Sequence, residues 1–365
     1  MTEVRSKLFV KSLSIKNFRN YEEISLDLSP GTNLFYGRNA QGKTNLLEAV
    51  YLAGTTRSHR GARDREMIKM GEEESHIRME MDRFGNDYRI DVHLRKNHAK
   101  GIAINGLAIR RASELLGITG MVFFSPEDLM IIKNGPAERR RFLDSLLCGI
   151  DPVYLDNLAR YRKCLLQRGK LLKEFPYDAG DLSMLDVWDA QTVDYGTRII
   201  ERRRSLLEEL QRTAAGIHSA LTGKAEELTL VYEENVSAGD FAAKLRRMRD
   251  VDLKMKTTSV GPHRDDLNIK SNGIDLRAYG SQGQQRTAAL SLKLSEIDIY
   301  EKARGDRPVL LLDDVFSELD ADRQQYLIES IKKTQTLLTC TGLDELLENR
   351  LKADQMFHVV RGGIE

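Results

Sequence analysis

Cysteine is scarce. There are three in 365 residues, Cys148, Cys164 and Cys340, far apart and none in a CxxC pair. That excludes a disulfide framework and a cysteine zinc site, and leaves inert thiols in a reducing compartment. Net charge is also nearly absent: 56 Lys and Arg stand against 55 Asp and Glu. A nucleic-acid partner would therefore have to be met by local basic patches, not by the charge of the whole chain. No run approaches the ~20 apolar residues of a membrane helix, and the N-terminal MTEVRSKLFVKSLSIKNF has no apolar core of the signal-peptide kind. Internal repeats and low-complexity segments are missing as well. The expectation is a cytoplasmic globular protein with no membrane partner, long enough for two domains or one with a large insertion.

What is present begins with GRNAQGKT, Gly37 to Thr44. An apolar run, Leu34-Phe35-Tyr36, precedes it. Leu46, Leu47, Val50 and Tyr51 follow at helical spacing. Two glycines, a lysine and a hydroxyl at this spacing, between a strand and a helix, form a phosphate-binding loop. Gly37 and Gly42 let the backbone close around phosphate oxygens, and the N–H groups of Arg38, Asn39, Ala40 and Gln41 make an anion nest at a helix start. Lys43 is expected to reach the outer phosphates and Thr44 to hold magnesium.

A second motif is VLLLDDVFSELD, Val309 to Asp320. Four apolar residues ending in an acid read as a buried parallel strand that stops at the ligand edge of its sheet. Asp313 is expected on the magnesium side. Asp314 is expected near the γ-phosphate, positioning water.

The surrounding pattern divides the chain. Residues 8–36 read as three strands, LFVKSLSIKNF, EEISLDLS and TNLFYG, with Pro30-Gly31 as a turn. Residues 76–109 alternate again as strands, with Asn105-Gly106 as a hairpin turn. From about Ser125 to Asp252 apolar residues recur every three or four positions, so a helical lobe or antiparallel helix pair is expected. DDLNIK and IDLRAYG then read as strands, followed by a helix from Ser281 and a strand TLLTC.

YGSQGQQRT, Tyr279 to Thr287, lies upstream of the acidic strand. It resembles the signature of ABC ATPases, with Ser281, Gln282 and Gly283 opening a helix whose N-terminus suits an anion. With SLSIKNFRNY, GRNAQGKTNLLEA, FFSPEDL, ERRRFLD, GPHRDDL and LLLDDVFSELD, the order of motifs resembles the ABC/SMC-like ATPases of bacterial recombination mediation over nearly the whole chain.

The resemblance implies an α/β fold. An ABC-type head, lobe I (1–124 and 305–365, mixed α/β with the phosphate loop), would carry a mostly helical lobe II (125–304, with the signature at 279–287). It implies ATP and Mg2+ as cofactors, an ATP-dependent homodimer, DNA binding, and work with RecR and RecO at gaps. Arg19 and Asn20 of NFRNY would approach the nucleotide, and Asn39 would face a partner's serine.

Departures from the wider ABC pattern are also visible. TLLTCTG has no switch histidine, leaving Thr339 or Thr341 in that place. Glu127 or Asp128 stands near the expected Q-loop glutamine. Asp314 replaces the usual glutamate, so slow hydrolysis is expected. Among basic clusters, Arg57, His59, Arg60 and Arg63 are expected to contribute most to DNA binding, ahead of Arg139 to Arg141 and residues 160–173. GPHRDDL fits a structural turn with internal ion pairs and a catalytic role equally well. The alternative for the whole chain is an ATPase subunit of a membrane transporter.

Overall fold

A computed structural model of the chain describes residues 8–174, 183–342 and 351–365; residues 1–7 of the N-terminal stretch and the Glu318 side chain lie outside it. The chain divides into two compact units, Met1–Asp128 with Glu296–Glu365, and Leu129–Ser295.

The first unit holds two six-stranded sheets. Its strands in chain order are β1 Leu8–Phe18, β2 Tyr21–Asp27, β3 Thr32–Tyr36, β4 Glu74–Arg83, β5 Asn86–Arg95, β6 Gly101–Ile104, β7 Leu107–Ala108 and β8 Met121–Phe124. The second unit contributes β9 Leu228–Glu233, β10 Asp266–Ser271 and β11 Ile274–Asp275. The first unit resumes with β12 Val309–Asp313, β13 Thr336–Cys340, β14 Gln355–Val360 and β15 Gly363–Ile364.

One sheet runs β2-β1-β4-β5-β6-β7 and is antiparallel throughout. Its strands alternate as half-buried strands must: Ser75, Ile77, Met79 and Met81 of β4 point inward while the residues between them face solvent. The other sheet runs β15-β14-β3-β13-β12-β8, with β14, β3, β13, β12 and β8 parallel. VLLLD and TLLTC are buried at every position, as strands covered on both faces are.

The helix Lys43–Thr55 is shared by both sheets. Leu46, Leu47, Ala49, Val50, Leu52 and Ala53 are all fully buried and join one core with β1, β4 and β12 residues. A helix with buried apolar residues around most of its circumference belongs between two layers. Gln335 joins the sheets a second way: its amide donates to Val10 and Ser29 carbonyls, both at 2.7 Å, and its oxygen accepts from the Val10 N–H at 2.6 Å.

The second unit is mainly helical, as its spacing predicts. Its long helices are Pro136–Ile150, Pro152–Glu174 and Ser183–Leu221. Two expectations are corrected. LTLVYE, inside the stretch read as helical, forms β9 and pairs with β10. IDLRAYG is a strand for only two residues, because the Asp275 carboxylate accepts from the N–H groups of Arg277 and Ala278 and turns Leu276–Tyr279 into a helix.

GPHRDDL resolves as a structural knot. Asp265 is fully buried. It accepts from the Tyr232 hydroxyl, from the Asn235 N–H at 2.9 Å and from Arg203 at 3.2 Å. Asp266 takes a two-point contact from Arg139 at 2.6 and 2.8 Å, and Arg140 donates to the Asp265 carbonyl at 2.6 Å. His263 meets the Tyr161 hydroxyl at 2.7 Å, and burial lowers its pKa to about 4. Arg139 is thus a buried anchor of the helix Pro136–Ile150, and the half-buried Arg140 ties the same helix to Asp265. Only Arg141 remains outward, beside Glu138. Arg168, counted among the cations of 160–173, is completely buried between Asp189 and Asp252.

Candidate nucleotide-binding site

The phosphate loop leaves β3 at Gly37 and enters its helix at Lys43. Gly37 has φ +148° and Gly42 φ +118°. A Cβ on Gly37 would lie 2.5 Å from the Val359 carbonyl, and one on Gly42 would lie 2.5 Å from the Asn20 amide. The loop therefore needs glycine twice, for close packing and for backbone conformation. Gly42→Ala is expected to cost about 1–3 kcal/mol of local strain. Nucleotide affinity should fall, and the urea midpoint should drop by no more than that strain accounts for, which paired titration and urea curves would check.

The loop is braced from behind. The Asn20 amide donates to the Gln41 carbonyl at 2.9 Å and the Tyr21 hydroxyl to the Gly42 carbonyl at 3.0 Å. Asn45 donates to Asn20 at 2.8 Å. From the far end of the sequence, the Gly362 N–H reaches the same Gln41 carbonyl at 2.9 Å and the Arg361 N–H reaches Gln41 Oε1 at 2.7 Å. Beneath, Phe357 stacks on Phe35 and His358 on Tyr36.

The ends of β12 and β13 bring the acids to this loop. Thr44 Oγ1 and Thr339 Oγ1 both donate to Asp313 Oδ1, each at 2.8 Å. Thr339 Oγ1 also accepts from the Asp314 N–H at 3.0 Å, where Asp314 sits at φ +52°. Lys43 folds over the loop and donates to the Gly37 carbonyl at 2.6 Å and the Arg38 carbonyl at 2.9 Å. Burial lowers its pKa; the nearby Asp314, Cys340 and Asp313 oppose that shift.

Sequence reasoning placed Gly37–Thr44, Asp313 and Asp314 together, and the structure brings them together. Asn20 touches the loop backbone. Arg19 does not: its guanidinium makes a two-point contact with Glu48 at 2.8 and 2.9 Å and donates to the Glu66 carbonyl at 2.7 Å. Glu48 is fully buried on the loop's helix. Burial pushes its pKa up, but hydrogen bonds from Arg19 and Ser58 hold it below the ordinary range. Arg19 thus fixes the helix rather than facing the loop. Tyr21, Asn45, Arg361 and Gly362 carried no sequence signal for the loop, since what they supply is an amide or hydroxyl delivered by the fold.

In the second unit, Ser281, Gln282 and Gly283 are exposed at the start of the helix Gln282–Arg304. Ser281 Oγ accepts from the Gln284 N–H at 3.2 Å, and Gln284 Oε1 accepts from the Ser281 N–H at 3.0 Å. This reciprocal cap holds the serine at the tip of the helix. Gln284 continues to Glu226 at 3.1 Å, and Glu226 in turn reaches the buried His218 at 3.3 Å.

Of the residues expected at DNA, Arg57, Arg60 and Arg63 are exposed, but His59 turns inward. Its ring stacks 3.9 Å from Phe123, and burial lowers its pKa to about 4. Its folded pKa lies below the 6.5 of the free side chain, so the unfolded chain protonates first. Its contribution is present above pH 6.5 and lost as pH falls toward 4, on the order of 2 kcal/mol near pH 5. His59→Phe should flatten that part of the stability–pH curve.

Comparison with known proteins decides the family. The family model described as RecF/RecN/SMC N terminal domain matches residues 9–362. A DNA replication and repair protein RecF of Agathobacter rectalis is 54% identical over 98% of this chain and 99% of its own. The chain belongs to the RecF family. A solved structure of the recombination mediator RecF with ATP, in the RecFOR pathway, superposes with a TM-score of 0.92 at 37% identity, covering 99% of this chain and 98% of that one. An Smc head domain from Pyrococcus furiosus shares the fold alone, with a TM-score of 0.57 at 16% identity. The expected ABC-type head of mixed α/β structure is therefore the fold of this RecF-family member, a protein of DNA replication and repair. Among the described residues, no helix is long and apolar enough to cross a membrane. The transporter-subunit alternative gains no support from these relatives.

Proposed function

We propose that the chain binds ATP with Mg2+, pairs head to head with a second copy when ATP is bound, and clamps DNA in that state. The observation that carries this reading is the meeting of Thr44 and Asp313 at 2.8 Å beside a glycine-bounded nest closed by Lys43. The donor set fits the group. Backbone N–H groups and an ammonium face anions, while a hydroxyl and a buried carboxylate share the place a hard cation needs. Mg2+ would offset charge on the phosphate oxygens. Thr44 and Asp313 would hold it, Lys43 would leave the loop carbonyls for phosphate, and Asp314 would orient the attacking water.

Ser281, Gln282 and Gly283 form the second half of the proposal. Their exposed, capped helix start suits the triphosphate held by the other copy. Asp314 has a shorter arm than glutamate, and Thr339 or Thr341 stands where a switch histidine would be. Turnover is accordingly slow, and hydrolysis acts as a timer that releases DNA. The exposed Arg57, Arg60 and Arg63 would meet backbone phosphates. The RecFOR pathway named for the solved relative supports RecR and RecO as partners at gaps.

The test is light scattering with ATP, with ADP and without nucleotide. Mass should double with ATP alone. Lys43→Met and Ser281→Arg should each stay monomeric, the second while still binding ATP. A mass unchanged by ATP in the unaltered protein would overturn the reading.

A further inference from the structure

The antiparallel sheet of the first unit turns one face to solvent, and that face carries a histidine pair away from the phosphate loop. His76 of β4 lies directly across from His93 of β5. Their rings stack with centroids 4.0 Å apart and planes within 20°. Glu74, two residues before His76 and so on the same face, reaches both. Its Oε2 lies 2.8 Å from His93 Nε2 and its Oε1 lies 3.6 Å from His76 Nε2. One ligand atom from each of the three falls within 4.8 Å of the others.

We propose that Glu74, His76 and His93 bind a divalent transition-metal ion of the zinc type. Two imidazoles aiming the same nitrogen at one carboxylate is an arrangement in which protons occupy what a metal would otherwise hold. Around a tetrahedral ion with bonds of about 2.0–2.1 Å, ligand atoms stand about 3.3 Å apart. The observed 2.8 and 3.6 Å from the carboxylate bracket that value; the stacked rings must each turn about their side-chain bonds to aim both nitrogens at one ion. Paired strands supply the rigidity, since the two histidines share one rung of the ladder.

The donor set chooses the ion. Two imidazoles and one carboxylate suit zinc and its neighbours, whereas Mg2+ and Ca2+ prefer oxygen alone. Lys16, the neighbour of His76 on β1, would oppose a cation, but Glu23 lies 3.9 Å from its ammonium. Three protein ligands on an open face leave the fourth position to water.

The test is calorimetric titration of Zn2+ into the full, tag-free, nucleotide-free chain with Mg2+ in excess, paired with Co2+ absorption as a view of geometry. One Zn2+ per chain and tetrahedral Co2+ bands are expected. His76→Ala and His93→Ala should each weaken binding by at least the roughly 10- to 100-fold that even outer-shell partners are worth. His98→Ala, an exposed control in the turn after β5, should change nothing. All three positions are at the surface, so the apo variants should melt like the parent. The proposal is overturned if the parent binds no Zn2+ after dialysis at micromolar metal. It is equally overturned if the His76→Ala/His93→Ala double variant binds as tightly as the parent.

Discussion

Asparagine in place of Asp313 will cut ATP turnover by about two to three orders of magnitude, while the protein still folds and still takes up nucleotide. Asp313 Oδ1 accepts from both Thr44 and Thr339, and an asparagine carbonyl can accept the same two bonds. The substitution therefore keeps the geometry of the β12 end and removes only its charge. That charge sits on a residue only 8% exposed, where a fixed negative group acts far more strongly than it would in water. Its loss should appear in the rate of phosphate release in a single turnover, and much less in equilibrium binding of a fluorescent nucleotide, because the loop backbone and Lys43 are untouched. Turnover within a few-fold of the parent would show that Asp313 is merely a well-bonded strand end.

Methionine in place of Arg168 will lower the stability of the helical unit by about 3–5 kcal/mol, the loss expected when one partner of a buried ion pair is removed. Arg168 is fully buried. It donates to Asp189 at 2.6 Å, Asp252 at 2.7 Å and Thr258 at 2.9 Å. Methionine fills much of the same volume, so packing changes little. What remains is a fully buried Asp252 carboxylate, with Asp189 beside it still paired to Arg249 at 2.6 Å. Urea unfolding followed by circular dichroism measures the loss. A companion variant that also carries Asp252→Leu should recover part of it, since the stranded charge is then gone. A cost below about 1 kcal/mol, the range of exposed pairs, would contradict the arrangement.

Arg168 also shows where reading the sequence runs out. A charge run displays its sign but not its partners. Residues 160–173 look like a solvated basic face, yet Arg168 is interior because Asp189 and Asp252 arrive from elsewhere in the chain. The phosphate loop was legible because everything it needs, two glycines, a lysine and a threonine, is local. Asp313 was legible because a wholly apolar run ending in acid has few other uses. The brace behind the loop was not legible, since Asn20 and Gly362 meet Gln41 only after two remote segments are folded onto it. β9 was hidden for a related reason: Gly223 and Lys224 turn the chain out of the helix before it, but the short run LTLVYE becomes a strand only by pairing with β10. GPHRDDL left a structural turn and a catalytic role equally open because its residue types suit both, and their partners Arg139, Arg203 and Tyr161 come from distant segments.

The position of β3 between β13 and β14 bears on how the molecule is made. A ribosome emits the phosphate loop early, yet the strands that flank β3 emerge roughly 300 residues later. At synthesis rates of about 5–20 residues per second, the loop waits on the order of tens of seconds before its neighbours exist. The helical unit, one continuous segment, can meanwhile complete itself. A nascent chain stalled before β13 should therefore hold a folded middle and bind no nucleotide. The pairing on DNA proposed above would then have to wait until translation has passed these strands.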